Sequence, residues 1–199
     1  MYYWGEPDAS VTFCEDKYTE VFWIAEYYNT LSAFFYIFVG MCFLPTRISK
    51  IAWCVIGIGV GSILLHATLR YYGQWVDEIF MILTCFRSLQ YIRPTLKSYF
   101  LPIILFFYFI LSHFFVVFLT FFILMNLPLL YITLKSNSLW GRLYIIFFSC
   151  GFICWILDQL ACFYLQELQL HAWWHIFTGF ALIFAMLELL NHAGKKHNS

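Results

Sequence analysis

Between residues 98 and 134 the chain is one long, predominantly apolar run, and two adjacent polar residues interrupt it only at Ser112 and His113. No other feature limits the fold as much. A soluble globule of this size cannot bury that run along with the rest, because 63% of the 199 residues are hydrophobic, 11% are charged and Phe alone occurs 24 times. The chain therefore reads as an integral membrane protein with the bilayer as solvent. One helix over the run would be about 55 Å long at ~1.5 Å per residue, too long for a hydrocarbon core of ~30 Å. Two antiparallel helices with a tight turn at Ser112 and His113 fit instead.

Counted that way, the apolar stretches predict seven spans, at 22–44, 51–69, 75–92, 98–112, 114–134, 140–164 and 172–191. The expected fold is an all-α membrane protein, a seven-transmembrane helix bundle. It forms a single domain over 1–199, with an outer N-terminal segment at 1–21 and a short cytoplasmic tail at 192–199. Charge supports the count. With seven spans, Arg47, Lys50, Arg93, Lys97, Lys135, Arg142, Lys195 and Lys196 share one side, and only Lys17 and Arg70 fall on the other. Basic loops stay in the cytoplasm, so the N-terminus is expected outside or lumenal and the C-terminus cytoplasmic. A six-span count removes this bias. The formal net charge is zero, which leaves no basic face for nucleic acid. No C-x-x-C pair suggests a zinc ribbon, and the polar, acidic first twenty residues do not resemble a cleavable signal.

A set of polar residues inside the spans falls in the outer half: Glu26 and Asn29, Ser62 and His66, Asp77 and Glu78, Asp158, and His171 with His175. Ionisable groups in a membrane are costly, and they usually face a bundle interior where they serve function. In "HAWWHI", residues 171–176, the two histidines stand four apart, which stacks them on one helix face. With His66 they offer the three imidazoles of a catalytic zinc site that keeps one position open. There is no H-E-x-x-H, so the base must come from elsewhere. Asp77 is the candidate base for a zinc-activated water, and Ser62, one turn before His66, is the candidate oxyanion donor. Blander readings stand beside these. A histidine pair flanked by tryptophans also suits an interfacial belt, and Ser62 in "GVGSILLH" also suits close helix packing. The convergence of the set favours the metal site. His113, His192 and His197 have no converging partners.

The segments "FCEDKYTEVFWIAEYYNTLSAFF", "VGIGVGSILLHATLRYYGQWVDE", "WILDQLACF" and "HAWWHIFTG" together resemble the alkaline ceramidase family. That family belongs to a wider group of seven-helix membrane hydrolases that includes adiponectin-type receptors. The resemblance implies an amidase that cleaves the N-acyl bond of ceramide, a membrane lipid, to a sphingoid base and a fatty acid. It assigns zinc to His66, His171 and His175, the water-activating role to Asp77, and the oxyanion role to Ser62. Asp158 also matches a family aspartate and is read as supporting. The alternatives are a zinc hydrolase of another lipid ester or amide, and a lipid-binding, receptor-like member with weak turnover. The membrane is then ER, Golgi or bacterial inner membrane.

The resemblance also implies a calcium site, whose positions fall on Thr12, Phe13, Glu15, Lys17 and Glu26. Thr12 stands where the family has aspartate and Lys17 where it has asparagine. Calcium wants six to eight oxygens, so a lost carboxylate and an added ammonium disfavour it. Lys17 is expected to take its place and to reach the carboxylates of Glu15 and Glu26. Cys14 and Cys162 both fall on the outer side, where disulfides persist, and are expected to bridge; two free thiols are the alternative.

Overall fold

In the computed structural model, residues 2–197 are described, with side chains through Asn191. Every regular element among them is helical. These are α1 (Tyr27–Phe43), α2 (Ser49–Thr68), α3 (Tyr71–Ile92), α4 (Phe100–Leu111), α5 (Phe115–Ser136), α6 (Leu139–Leu160), the single turn α7 (Cys162–Leu165), a 3-10 turn at Gln166–Leu168, and α8 (Leu170–His197). Four of them, α2, α5, α6 and α8, are long and apolar enough to cross a membrane. The long run splits as expected, with a turn at Ser112–Phe114 between α4 and α5.

Several boundaries differ from the sequence expectation. The first helix begins at Tyr27 rather than near residue 22, because Ala25 and Glu26 turn back and donate their amides to the carbonyls of Ala67 and His66 at 2.9 Å. Those carbonyls are orphans of the last turn of α2, so the non-helical entrance to α1 satisfies them. The third helix begins at Tyr71, so Asp77 and Glu78 lie in its second turn instead of opening it. The sixth ends at Leu160, and the chain bends at Ala161 before Cys162. The last continues to His197 through residues read as a tail, with Lys195 and Lys196 outside the described side chains.

Six helices form a closed ring in the order α1, α2, α3, α5, α6, α8, with α8 returning to α1, and α4 packs outside against α3 and α5. Glycine permits the tightest of these contacts. A Cβ at Gly61 would overlap the backbone of Asp77, and one at Gly73 would overlap the backbone of Leu65. Close approach of α2 and α3 through small residues replaces the hydrophobic drive that lipid removes, and it sets Ser62 beside the start of α3. Away from the polar end, Tyr36, Val39, Val55, Ile58, Met186 and Leu189 lock α1, α2 and α8 together. The N-terminal segment lies over the polar end. Asp8 and Ala9 donate to the Leu69 carbonyl, both at 3.2 Å, where Leu69 leaves α2 in the left-handed region at φ 55°.

Candidate metal centre

His66 from the end of α2 meets His171 and His175 from the start of α8, and one nitrogen from each ring lies within 4.8 Å of the others. All three are buried, at 1%, 4% and 2% exposure, which removes the interfacial-belt reading of the pair. Trp173 is half exposed, but Trp174 turns inward to the cavity below the histidines.

Outer partners set two of the rings. The carboxylate of Glu26 lies 2.5 Å from His66 Nδ1, which leaves Nε2 of that ring to face the centre. The Ser32 hydroxyl lies 2.8 Å from His175 Nδ1, again leaving Nε2. Such partners fix tautomer and orientation in histidine metal sites. His171 Nδ1 is buried with no hydrogen-bond partner. Three buried imidazoles, one with an orphan nitrogen, fit a borderline-soft divalent ion such as zinc. Ser62 Oγ lies 3.3 Å from His175 Nε2, beside the open side of the cluster. Asp77 lines the same cavity as Ser62, His171 and His175, and its Oδ1 is also buried without a partner. Phe13 covers the cluster from the N-terminal segment, its ring centroid 3.7 Å from that of His171 and 4.9 Å from that of His66.

Lys17 sits behind this cover. Its ammonium contacts the Glu26 carboxylate and donates to the carbonyls of Phe13 and Glu15, both at 2.7 Å. The Glu15 carboxylate does not meet Lys17, contrary to expectation. It accepts from the Tyr28 amide at 2.6 Å and the Asn29 amide at 2.9 Å, two orphan donors in the first turn of α1. A carboxylate at a helix N-terminus also meets the favourable end of the dipole, so that site takes the side chain and leaves only the carbonyl to Lys17. Burial pushes the Glu15 carboxyl above its ordinary range, while these two amides pull it down and nearby Glu26 adds to the rise. Thr12 lies outside the Lys17 shell, and its carbonyl accepts from Gln159 at 3.1 Å.

Cys14 and Cys162 are joined by a disulfide, and Asp158 accepts from the Cys14 amide at 3.3 Å. Asp158 thus ties the N-terminal segment to α6. His113 stacks on Tyr71, away from the centre.

Two sets of residues escaped the sequence reading. The sequence sets Glu26 among the outer-half polar residues and the calcium positions without linking it to His66, which it holds, and neither set includes Ser32. Glu26, Asn29, Ser32 and Tyr36 recur at helical spacing along α1, a signal that was there to be read. Asn29 supports Glu26 at 3.2 Å, and the Tyr36 hydroxyl reaches Thr178 at 2.6 Å. The second set surrounds Glu78. Its carboxylate accepts from Gln74 and Tyr108, each at 2.7 Å, and the Gln74 amide group reaches Ser10 in the N-terminal segment. Tyr108 comes from α4, so only tertiary packing reveals this link.

The family model described as Ceramidase matches residues 5–199. Alkaline ceramidase 3 of Mus musculus is 27% identical, with 89% of this chain and 81% of the mouse protein covered. The putative alkaline ceramidase dcd3B of Dictyostelium discoideum is 26% identical over 98% of this chain and 90% of its own. The alkaline ceramidase of Arabidopsis thaliana is 26% identical over 89% and 81%.

Proposed function

The chain belongs to the ceramidase family, and from that membership we propose that it is an intramembrane zinc-dependent amidase, hydrolysing the N-acyl bond of ceramide to a sphingoid base and a fatty acid. The observation that carries this reading is the convergence of three buried histidines, Asp77 and Ser62 at one end of a largely apolar cavity. The cavity receives a lipid chain, and its polar end receives the amide.

His66, His171 and His175 hold the metal. Zinc supplies Lewis acidity there, acidifying water and polarising a carbonyl. Asp77 takes the proton of the attacking water and returns it to the nitrogen of the leaving sphingoid amine, the work of a general base turned general acid. The Ser62 hydroxyl donates to the carbonyl oxygen as negative charge gathers on it. Glu26 and Ser32 keep two imidazoles turned toward the metal, and Phe13 limits water from the N-terminal side.

In this reading the ring of six helices and α4 make seven crossings, with the N-terminus outside or lumenal and the C-terminus cytoplasmic. The charge distribution supports that orientation, as does the disulfide at the histidine end. An ER, Golgi or bacterial inner membrane suits it. Lys17 stands in for the family's calcium. An ammonium has three donors, and its three acceptors here are the Phe13 and Glu15 carbonyls and the Glu26 carboxylate. Activity and melting temperature are accordingly expected to be insensitive to added calcium and to a calcium-selective chelator; bound calcium at Glu15 and Glu26 overturns this assignment.

The deciding experiment offers the purified protein labelled ceramide, phospholipid and N-acyl amines, with and without a zinc chelator. Fatty acid released from ceramide, lost with chelator and restored by zinc, is the expected result. Turnover confined to another lipid makes it a different hydrolase of this group. Tight lipid binding without turnover makes it a receptor-like member.

A further inference from the structure

The cavity below the histidines is polar at both ends. Its volume is about 130 Å³, against the ~10–15 Å³ that one water needs, so it is a chain-sized space and no packing defect. Between the ends its walls are hydrocarbon and aromatic, including Ile58 and Met81 on one side and Phe118, Phe148 and Leu182 on others. The far end is different. Tyr144 from α6, Asn126 from α5 and Cys85 from α3 meet there, all lining the cavity.

Their hydrogen-bonding capacity is only partly used. The Asn126 amide nitrogen donates to the Phe122 carbonyl at 2.8 Å and lies 3.3 Å from Cys85 Sγ, but its Oδ1 accepts nothing among the described residues. The Tyr144 hydroxyl has no hydrogen-bond partner among the described residues either, although Tyr144 is only 7% exposed. Hydrocarbon cannot satisfy either group, and an unpaired hydroxyl or amide in an apolar medium is costly. An apolar cavity floor would have been built from Phe and Leu, as its walls are. A free O–H donor beside a free C=O acceptor complements one group above all, a hydroxyl, which donates and accepts at once.

We propose that this floor is a subsite for a hydroxyl carried partway along the substrate's hydrocarbon chain, with Tyr144 donating to it and Asn126 accepting from it. Asp77 and Cys85 are eight residues apart on α3, so the hydroxyl sits roughly 12 Å from the reacting carbonyl at ~1.5 Å per residue. The preferred substrates are lipid amides hydroxylated at that depth, on the acyl chain or on the chain of the base. The inference rests on the amidase reading for its substrate class, but the subsite itself can be tested without catalysis.

The test uses ceramides with plain chains and with a single hydroxyl walked along either the acyl chain or the base chain. The expected kcat/KM is about tenfold higher for a hydroxyl at the matching depth than for the plain chain, the worth of one well-made hydrogen bond. The ratio peaks at one depth, and the arm that shows the peak identifies which chain enters. In Tyr144→Phe and in Asn126→Leu the ratio falls toward one; being a ratio, it does not depend on how much variant folds. In parallel, free fatty acids with and without the hydroxyl are bound to the metal-loaded protein and melting temperature is read. A larger rise with the hydroxylated acid, lost in Tyr144→Phe, supports the subsite even if ceramide is not a substrate. Equal rises for plain and hydroxylated acids, together with a ratio near one at every depth in both the acyl and the base arm, overturn it even if ceramide is hydrolysed.

Discussion

The α1, α2 and α8 side of the molecule and the α4 and α5 side solve membrane burial in opposite ways. On the first side a set of polar groups is buried at one end of an apolar core. Glu26, Asn29, Thr30, Ser62, His66, His171, His175 and Thr178 are all buried there, and nearly every one has a named partner. On the second side α4 buries only Leu101 and Tyr108, and α5 only Phe118, Met125 and Asn126. The remainder presents Phe106, Phe107, Phe109, Val116 and Leu127 outward. The difference shows where positional accuracy resides. Hydrogen bonds are directional and fix imidazoles to within fractions of an ångström, whereas apolar contacts are not and tolerate adjustment. In the proposed reading the polar side holds the chemistry, and the apolar side walls a chain-binding space and meets lipid.

If that contrast is right, substitutions should fall steeply in effect from one side to the other. The largest loss is expected for His171→Ala combined with His175→Ala: bound metal, measured on purified protein, falls from about one equivalent to none under the three-ligand pattern, and amidase turnover falls to background. Normal metal content in that variant breaks the assignment. Next, Asp77→Asn keeps size and metal but lowers turnover by roughly 10²–10⁴, the usual worth of a general base; a fully active variant with normal metal would falsify the proton-transfer role. Glu26→Gln is expected to weaken metal binding by about 10–100-fold in a chelator competition, because the charge behind His66 is lost. A fall in melting temperature with unchanged metal affinity would limit Glu26 to its Lys17 contact. At the other extreme, Phe107→Leu on the exposed face of α4 changes stability by no more than ~0.5 kcal/mol and leaves the metal content as it was. A large loss there would mean that this face is packed against something and the contrast fails.

Much of this was legible beforehand, and the reasons are specific. The run from 98 to 134 had to divide because its length as one helix exceeds a bilayer, and the turn falls at Ser112–Phe114. The histidine pair four apart had to share a face of whichever helix held it. What resisted reading was the target of side chains that have two suitable partners. Glu15 could serve an ammonium or a helix end, and Glu26 could serve Lys17, His66 or both. Composition cannot choose between them, since each choice is made by where the backbone of the N-terminal segment lies.

The sequence by itself determined that the chain is helical and membrane-bound, and which three imidazoles stand at a common depth, because hydrophobic length and helical period act locally along the chain. Only the tertiary structure decided that Glu15 caps α1, that Glu26 and Ser32 orient the histidines, and that Tyr144 and Asn126 line one cavity with His175. Those contacts join residues from different elements. They depend on the close approach of α2 and α3 at Gly61 and Gly73 and on the closure of a six-helix ring; small residues permit the first, but no local pattern names the helix that packs there or closes the ring.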